Sequence, residues 1–285
     1  MIAESELILN PDGSVYHLNL QPEELAETVI KVGDPDRVAH VSQFFDSIEL
    51  KKHKREFVTH TGSFAGKRIS VVSTGIGTDN IDIVLNELDA LANVDFKTRQ
   101  IKPQIKSLTI VRVGTSGALQ KDIPLDAMLV SDYGLGFDNL MHFYDLAYNE
   151  NELAMTQIAK KHFAPIPIYV AQANQQLLNH FKAHAYHGIT ATCSGFYGPQ
   201  GRKIRGKMRI ENLLDEMRDF QYQDLRITNF EMETSGIYGL GRLLGHRCLS
   251  VNTIVANRAL QTFSKDPDKA VDASIIKTLE LLAEM

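Results

Sequence analysis

Short runs rich in valine, isoleucine and threonine alternate along this chain with helical patterns, and that alternation restricts the possible fold more than any other feature. Strand-like runs fall at 27–33, 68–74, 107–113, 126–132, 166–171, 186–193, 225–230 and 247–256, several closing on glycine or a polar turn. Helical patterns lie between them at 78–94, 151–163, 173–184, 232–245 and 268–284. In the first of these, Ile81, Val84, Leu85, Leu88 and Leu91 form one apolar stripe. The alternation predicts an α/β fold with a mostly parallel or mixed sheet covered on both faces. Ligands in such folds gather at the carboxyl ends of strands. The unusual polar residues here cluster at those ends, so they are read as one site. With 285 residues, 44% of them hydrophobic, and no repeat or linker-like tract, residues 1–285 are expected to form a single domain.

A net charge of −5 argues against a nucleic-acid-binding surface. The basic cluster Lys51-Lys52-His53-Lys54-Arg55 stands out, and its lysines read as a solvated face. Cys193 and Cys248 make no disulfide framework, and Cys193 reads as a packed thiol. The acidic N-terminus lacks the features of a signal peptide, and no apolar run approaches the ~20 residues that span a bilayer. The expected location is the cytoplasm.

The run from Ser107 to Gly117 carries the most chemistry. It reads as a strand giving way after Val113 to a glycine-rich turn, whose freed N–H groups converge on an anion. Arg112 adds a planar fork matched to phosphate oxygens, and Thr115 a hydroxyl donor. There is no P-loop lysine, which suggests phosphate as a reactant rather than a nucleotide tail. In Gly33-Asp34-Pro35-Asp36-Arg37, Asp34 suits an N-cap and Pro35 a first helical turn. Arg37 opposes the helix dipole there, and a bound anion would explain it.

The junction Ser73-Thr74-Gly75-Ile76-Gly77-Thr78 lacks the third glycine of a dinucleotide fingerprint but suits a helix start facing a small anion or a sugar. Gly62 to Arg68 fails as a Walker loop and reads as a hairpin turn. In Phe196 to Arg202, Gln200 offers a donor and an acceptor together, and Phe196 an aromatic face. This is either a base-reading element or an ordinary surface turn. In Asn229-Phe230-Glu231-Met232-Glu233-Thr234, the acids either favour a helix start or accept from a vicinal diol. No HExxH, GxSxG or Cys–His signature is present. The long, irregular stretch 134–165 reads as a lid or an interface loop.

Taken in order, these motifs resemble the type I nucleoside phosphorylase family, most closely its uridine phosphorylase members, from His17 to about Gln261. The resemblance also takes in His53-Lys54-Arg55-Glu56-Phe57. It implies a three-layer α/β/α sandwich around a central mixed, partly barrel-like sheet. It implies reversible phosphorolysis of uridine, with deoxyuridine and thymidine as further candidates, and inorganic phosphate as co-substrate. Phosphate would be held by Gly33, Arg37, Arg112 and Thr115, with Arg55 reaching in from a neighbouring subunit. Glu233 would hold the ribose hydroxyls, with Met232 on the sugar and Glu231 beside it. His17 would cross a dimer interface to the 5′-hydroxyl, and Gln200 and Arg202 would read uracil beside Phe196. A homo-oligomer built from dimers follows, with no metal or redox cofactor required by the chemistry.

Some residues depart from the family pattern. Purine-cleaving relatives carry an aspartate after the late strand, where this chain reads Ile254-Val255-Ala256-Asn257-Arg258. The family's intersubunit potassium site would fall on Glu56 and Ile76, with Asn80 in place of a serine. Gly198-Pro199 inverts the usual order of that pair. The rival expectations are a purine nucleoside phosphorylase or water-using nucleosidase on the same fold, and a catalytically silent nucleoside-binding protein. Arg112→Ala is expected to abolish phosphorolysis while leaving the fold intact.

Overall fold

The protein is described by a computed structural model covering residues 1–285. It begins with β1 (Thr28–Val32), α1 (Pro35–Ser42), β2 (Ser47–Lys54), β3 (Phe57–Phe64) and β4 (Lys67–Ser73). Then come α2 (Thr78–Asn93), the small hairpin β5 (Val94–Asp95) and β6 (Gln100–Ile101), β7 (Thr109–Ala118) and β8 (Met128–Gly136). The middle holds α3 (Glu150–His162), β9 (Tyr169–Gln172), α4 (Gln175–Lys182), β10 (Tyr186–Thr192) and α5 (Leu213–Asp219). The chain closes with β11 (Gln221–Tyr222), β12 (Leu225–Glu231), α6 (Thr234–Leu243), β13 (Arg247–Asn257), β14 (Thr262–Phe263) and α7 (Pro267–Ala283).

β1 lies between β4 and β7 and runs parallel to both. Beyond β4 the sheet continues antiparallel through β3 to the edge strand β2. On the other side, β7 pairs with β13, β13 with β8, β8 with β10 and β10 with β12. β12 then returns to β7 through Asn229 opposite Ala118 and Phe230 opposite Gly117. These strands close into a barrel, and register shifts in β10 and β13 supply the bending that closure needs. Helices flank the sheet as packed pairs, α1 with α7 and α2 with α6, giving the three-layer α/β/α architecture. The larger apolar core joins α2 residues such as Leu85 and Leu88 to Ile110, Val111 and Leu249 of the sheet. A smaller core joins Leu135, Phe163, Phe220 and Phe230.

Local chemistry explains the element boundaries. Asp34 caps α1 by accepting from the Asp36 N–H at 3.0 Å, with Pro35 in the first turn. Asp266 caps α7 in the same way at Lys269. Ala65 and Gly66, both at positive φ, make the tight β3–β4 hairpin.

Three expectations need correction. β7 does not give way to a turn after Val113. It pairs with β13 as far as Ala118, while its other edge pairs with β1 only to Arg112 and with β12 from Gly117, so residues 113–116 form a strand open along one edge rather than a turn. The 134–165 stretch is not irregular, since it holds the end of β8, a 3-10 turn at Leu140–Phe143 and the well-capped α3. The basic cluster is only in part a solvated face: it closes the edge strand β2, where Lys51 is exposed but Lys52 pairs with Glu24 at 3.1 Å and Lys54 donates to Asn10 Oδ1 at 2.9 Å. β2, β3 and α5 have no counterpart among the expected elements.

Candidate active site

Arg112 and Lys31 are cross-strand neighbours on parallel β7 and β1, at the sheet's interior. Facing them across the end of β12 is Glu233, the residue before α6. Arg112 donates to Glu233 Oε2 from Nε at 3.1 Å and from Nη2 at 2.7 Å. Nη1 donates to Asn252 Oδ1 at 2.7 Å, and Nη2 lies 3.1 Å from Glu231 Oε2. The other oxygen of Glu233 accepts from the Gly77 N–H at 2.9 Å. The expected anion at the start of α2 is therefore a carboxylate of the chain itself, where the glycine N-cap has no side chain to offer. Glu231 supports the structure locally, accepting from the N–H groups of Glu233 and Thr234 and from Thr192 Oγ1.

Burial alone would raise the Glu233 carboxyl, but the Lys31 ammonium and Arg112 guanidinium more than offset it and bring it to about 2. Glu231 moves upward, because burial outweighs Arg112. Lys31 is driven down to about 8 by burial, with Glu233 opposing. Burial also pulls on Arg112, and the two glutamates outweigh it.

Gly114 has a different role from the one expected. A Cβ there would lie 2.4–2.6 Å from the Arg112 guanidinium, so the missing side chain makes room for Arg112 to curl along its own strand. Arg37, in the first turn of α1, is partly buried among Asp34, Arg112, Asp268 and Glu233. Gly33 closes β1 against the Gly75 carbonyl, 3.4 Å from where a Cβ would stand. Thr115 is the one residue of β7 that is not buried. Gly33 and Arg37 thus follow the carboxyl end of β1, Arg112 lies in the middle of β7 with Thr115 three residues further along, and Met232 is half-buried next to Glu233. A cavity of about 690 Å³ adjoins the cluster at Gly77 and is lined also by Asp138, Leu140, Tyr144 and Ser194.

Gln200 and Arg202 also come together. Gln200 is buried, and Arg202 Nη1 donates to its Oε1 and to the Phe196 carbonyl at 2.6 Å. Phe196 stacks on the Arg202 guanidinium, 3.7 Å from ring centroid to Cζ, so that ring face is taken by the arginine rather than left for a base. Arg258, not anticipated from the sequence, shares the Phe230 ring with Arg202, and its Nη1 is buried with no hydrogen-bond partner.

Other expected residues lie apart from this cluster within one chain. His17 Nδ1 sits 2.6 Å from Glu87 Oε1, and Glu87 also accepts from the His17 and Leu18 N–H groups. Arg55 is exposed at the β2–β3 turn, over the Tyr16 ring. The Asn80 amide donates to the Ile76 carbonyl at 3.5 Å. Asn257 is fully used by the backbone, donating to Gln120 and Ile123 and accepting from Ala259 and Leu260. Both cysteines are buried and free, and burial pushes both thiols up. Besides Arg258, the sequence reading passed over Lys31 and Asn252. A lone lysine within the apolar run Thr-Val-Ile-Lys-Val of a central parallel strand was the available signal for Lys31.

Comparison with known proteins agrees with this fold. A uridine phosphorylase of Thermococcus kodakarensis is 29% identical over 96% of this chain and 88% of its own length. One of Haemophilus influenzae is 30% identical over 94% of this chain and 99% of its own length. A Photobacterium profundum purine nucleoside phosphorylase is 27% identical over 84% of each chain. A crystal structure of a Trypanosoma brucei nucleoside phosphorylase, reported to show uridine phosphorylase activity, superposes with a TM-score of 0.90. It is 30% identical, and the match covers 98% of this chain and 100% of that one. The phosphorylase superfamily model matches residues 27–284, and the chain belongs to that superfamily.

Proposed function

We propose that this chain is a uridine phosphorylase, converting uridine and inorganic phosphate reversibly to uracil and ribose 1-phosphate. The observation that carries the reading is the pair of guanidinium groups, Arg112 and Arg37, beside a Glu233 carboxylate kept ionised in a buried setting. Two guanidinium groups near each other repel, and a phosphate dianion between them relieves that repulsion. Glu233, an acceptor with no proton to give, suits the 2′- and 3′-hydroxyls of ribose, with Met232 against the sugar. As the glycosidic bond stretches, C1′ gains positive charge and the base becomes an anion. Phosphate held on one side stabilises the sugar cation and fixes the attack distance. On the other side, Gln200 and Arg202 donate to the uracil carbonyls as charge builds there, and Arg258 adds a further cation.

Uracil fits better than a purine because Asn257, the polar group after β13, is spent on the backbone and no acid stands there to protonate a purine ring nitrogen. His17 and Arg55 would complete the site from a neighbouring subunit, so the working enzyme would be a homo-oligomer built from dimers. No helix is long and apolar enough to cross a membrane, and the proposed setting is cytoplasmic. The scheme uses phosphate as co-substrate and calls on no metal or redox cofactor. The test is a spectrophotometric assay of uridine, 2′-deoxyuridine, thymidine and inosine with and without phosphate. Phosphate-dependent cleavage of uridine, well above inosine, is expected. Faster inosine cleavage, cleavage without phosphate, or no cleavage at all would each replace the reading with one of its rivals.

A further inference from the structure

Lys31 is the least expected residue of the site. It occupies the middle of the sheet, 1% exposed, in a strand whose other residues are Thr28, Val29, Ile30 and Val32. Its Nζ is buried and makes no hydrogen bond, while Glu233 Oε2 lies 4.0 Å away. A buried ammonium with all its N–H groups unspent is unfavourable, and an apolar side chain would avoid that cost. The charged groups around it are Glu233 and Glu231 at the end of β12, Arg112 on β7 and Arg37 on α1. Two of these are cations, which adds to the cost.

Arg112 faces conflicting demands. Its Nε and Nη2 both bond Glu233 Oε2, yet these are the donors a bound phosphate needs from it. If they turn to phosphate, Glu233 keeps only the Gly77 N–H on its other oxygen. Its Oε2 would then be buried and unpaired while it must align two ribose hydroxyls. Lys31, side by side with Arg112 in the strand register, is the one free donor within reach of that oxygen.

We propose that Lys31 is a positioning residue that takes over Glu233 when Arg112 engages phosphate, holding the carboxylate in place for the ribose hydroxyls. This rests on the phosphorylase reading above. The hand-over explains the unspent ammonium: it is kept for the liganded state. It also predicts a specific pattern of loss, since Lys31 acts on the sugar through Glu233 and on phosphate hardly at all.

The test compares the unchanged enzyme with Lys31→Met and Lys31→Gln in uridine and 2′-deoxyuridine phosphorolysis across pH. For the neutral variants, kcat/KM for uridine is expected to fall about tenfold or more, with the KM for phosphate changed less than about twofold. The uridine to 2′-deoxyuridine preference should shrink, because only uridine carries both hydroxyls. The acid limb of kcat/KM for uridine should move up by about one pH unit as Glu233 loses a cation. A residue that merely supports the fold would lower both substrates alike and leave the acid limb in place, and that result overturns the inference.

Should neither variant fold, the unchanged enzyme decides the matter. Its uridine to 2′-deoxyuridine ratio, in which the titrations of phosphate and base cancel, should decline as pH rises through about 8 and Lys31 loses its proton. A flat ratio overturns the inference. An unchanged enzyme unable to phosphorolyse uridine overturns the functional reading and this inference together. An active one with unaffected Lys31 variants overturns only the inference.

Discussion

At the scale of single residues, the site is organised around buried charge, and the cost of changing it differs from residue to residue. Arg112 bonds Glu233, contacts Glu231 and bonds Asn252, all buried. Arg112→Ala is therefore expected to abolish phosphorolysis and to cost on the order of 3 kcal/mol of stability, because two buried carboxylates lose their guanidinium partner. Thermal melts alongside rates check both parts; a variant as stable as the parent would contradict the pairing. Glu233 has its folded-state carboxyl depressed from 4.5 to about 2, so the stability it supplies is fully present above pH 4.5 and is lost as pH falls through about 2. The melting difference between the parent and Glu233→Gln should accordingly narrow over that interval, whereas a constant gap would mean that the charge is not what stabilises. Gln200→Ala, acting on the base alone, should lower uridine kcat/KM about 10–100-fold while leaving the KM for phosphate nearly unchanged. Matching losses in both would place base recognition elsewhere.

At the scale of elements, the sequence spoke clearly where a local rule decides the outcome. The Asp34-Pro35 start of α1 and the Ala65-Gly66 hairpin follow from capping and turn chemistry within a few residues, and both are found. β2 escaped notice because an edge strand closing on Lys-Lys-His-Lys lacks the apolar alternation that marks a half-buried one. The Gly114-to-Gly117 stretch was misread because glycine in a strand resembles glycine in a turn. What fixes it is tertiary: pairing to β13, and an arginine two residues back that needs the space. Arg112, Gln200 and Glu233 were legible as charged or amide groups at strand and turn ends. Lys31 and Asn252 were not, since their meaning comes from neighbours brought in by the sheet. Gly114→Ala tests the element-level explanation. Its methyl would displace the Arg112 guanidinium, so about a hundredfold loss of kcat/KM is expected in a chain that still folds. Full activity would show that Arg112 does not need that path.

At the scale of the whole molecule, the barrel is closed by β12 pairing back to β7, and each half of the site sits on that closure. Arg112 comes from β7, Glu231 and Glu233 from the end of β12, and Gln200 and Arg202 from the loop after β10. Because strands from across the sequence interlock in one sheet, thermal unfolding is expected as a single transition in which CD and activity fall together; two separated transitions would divide the chain into independent units. The central claim is that this interlocked pocket joins phosphate to the ribose of uridine. Phosphorus NMR of the enzyme mixed with uridine and inorganic phosphate tests it most directly. The predicted spectrum gains a sugar-phosphate ester resonance that grows in step with free uracil and reverses on adding excess uracil. Uracil released with the inorganic phosphate signal undiminished would contradict the claim.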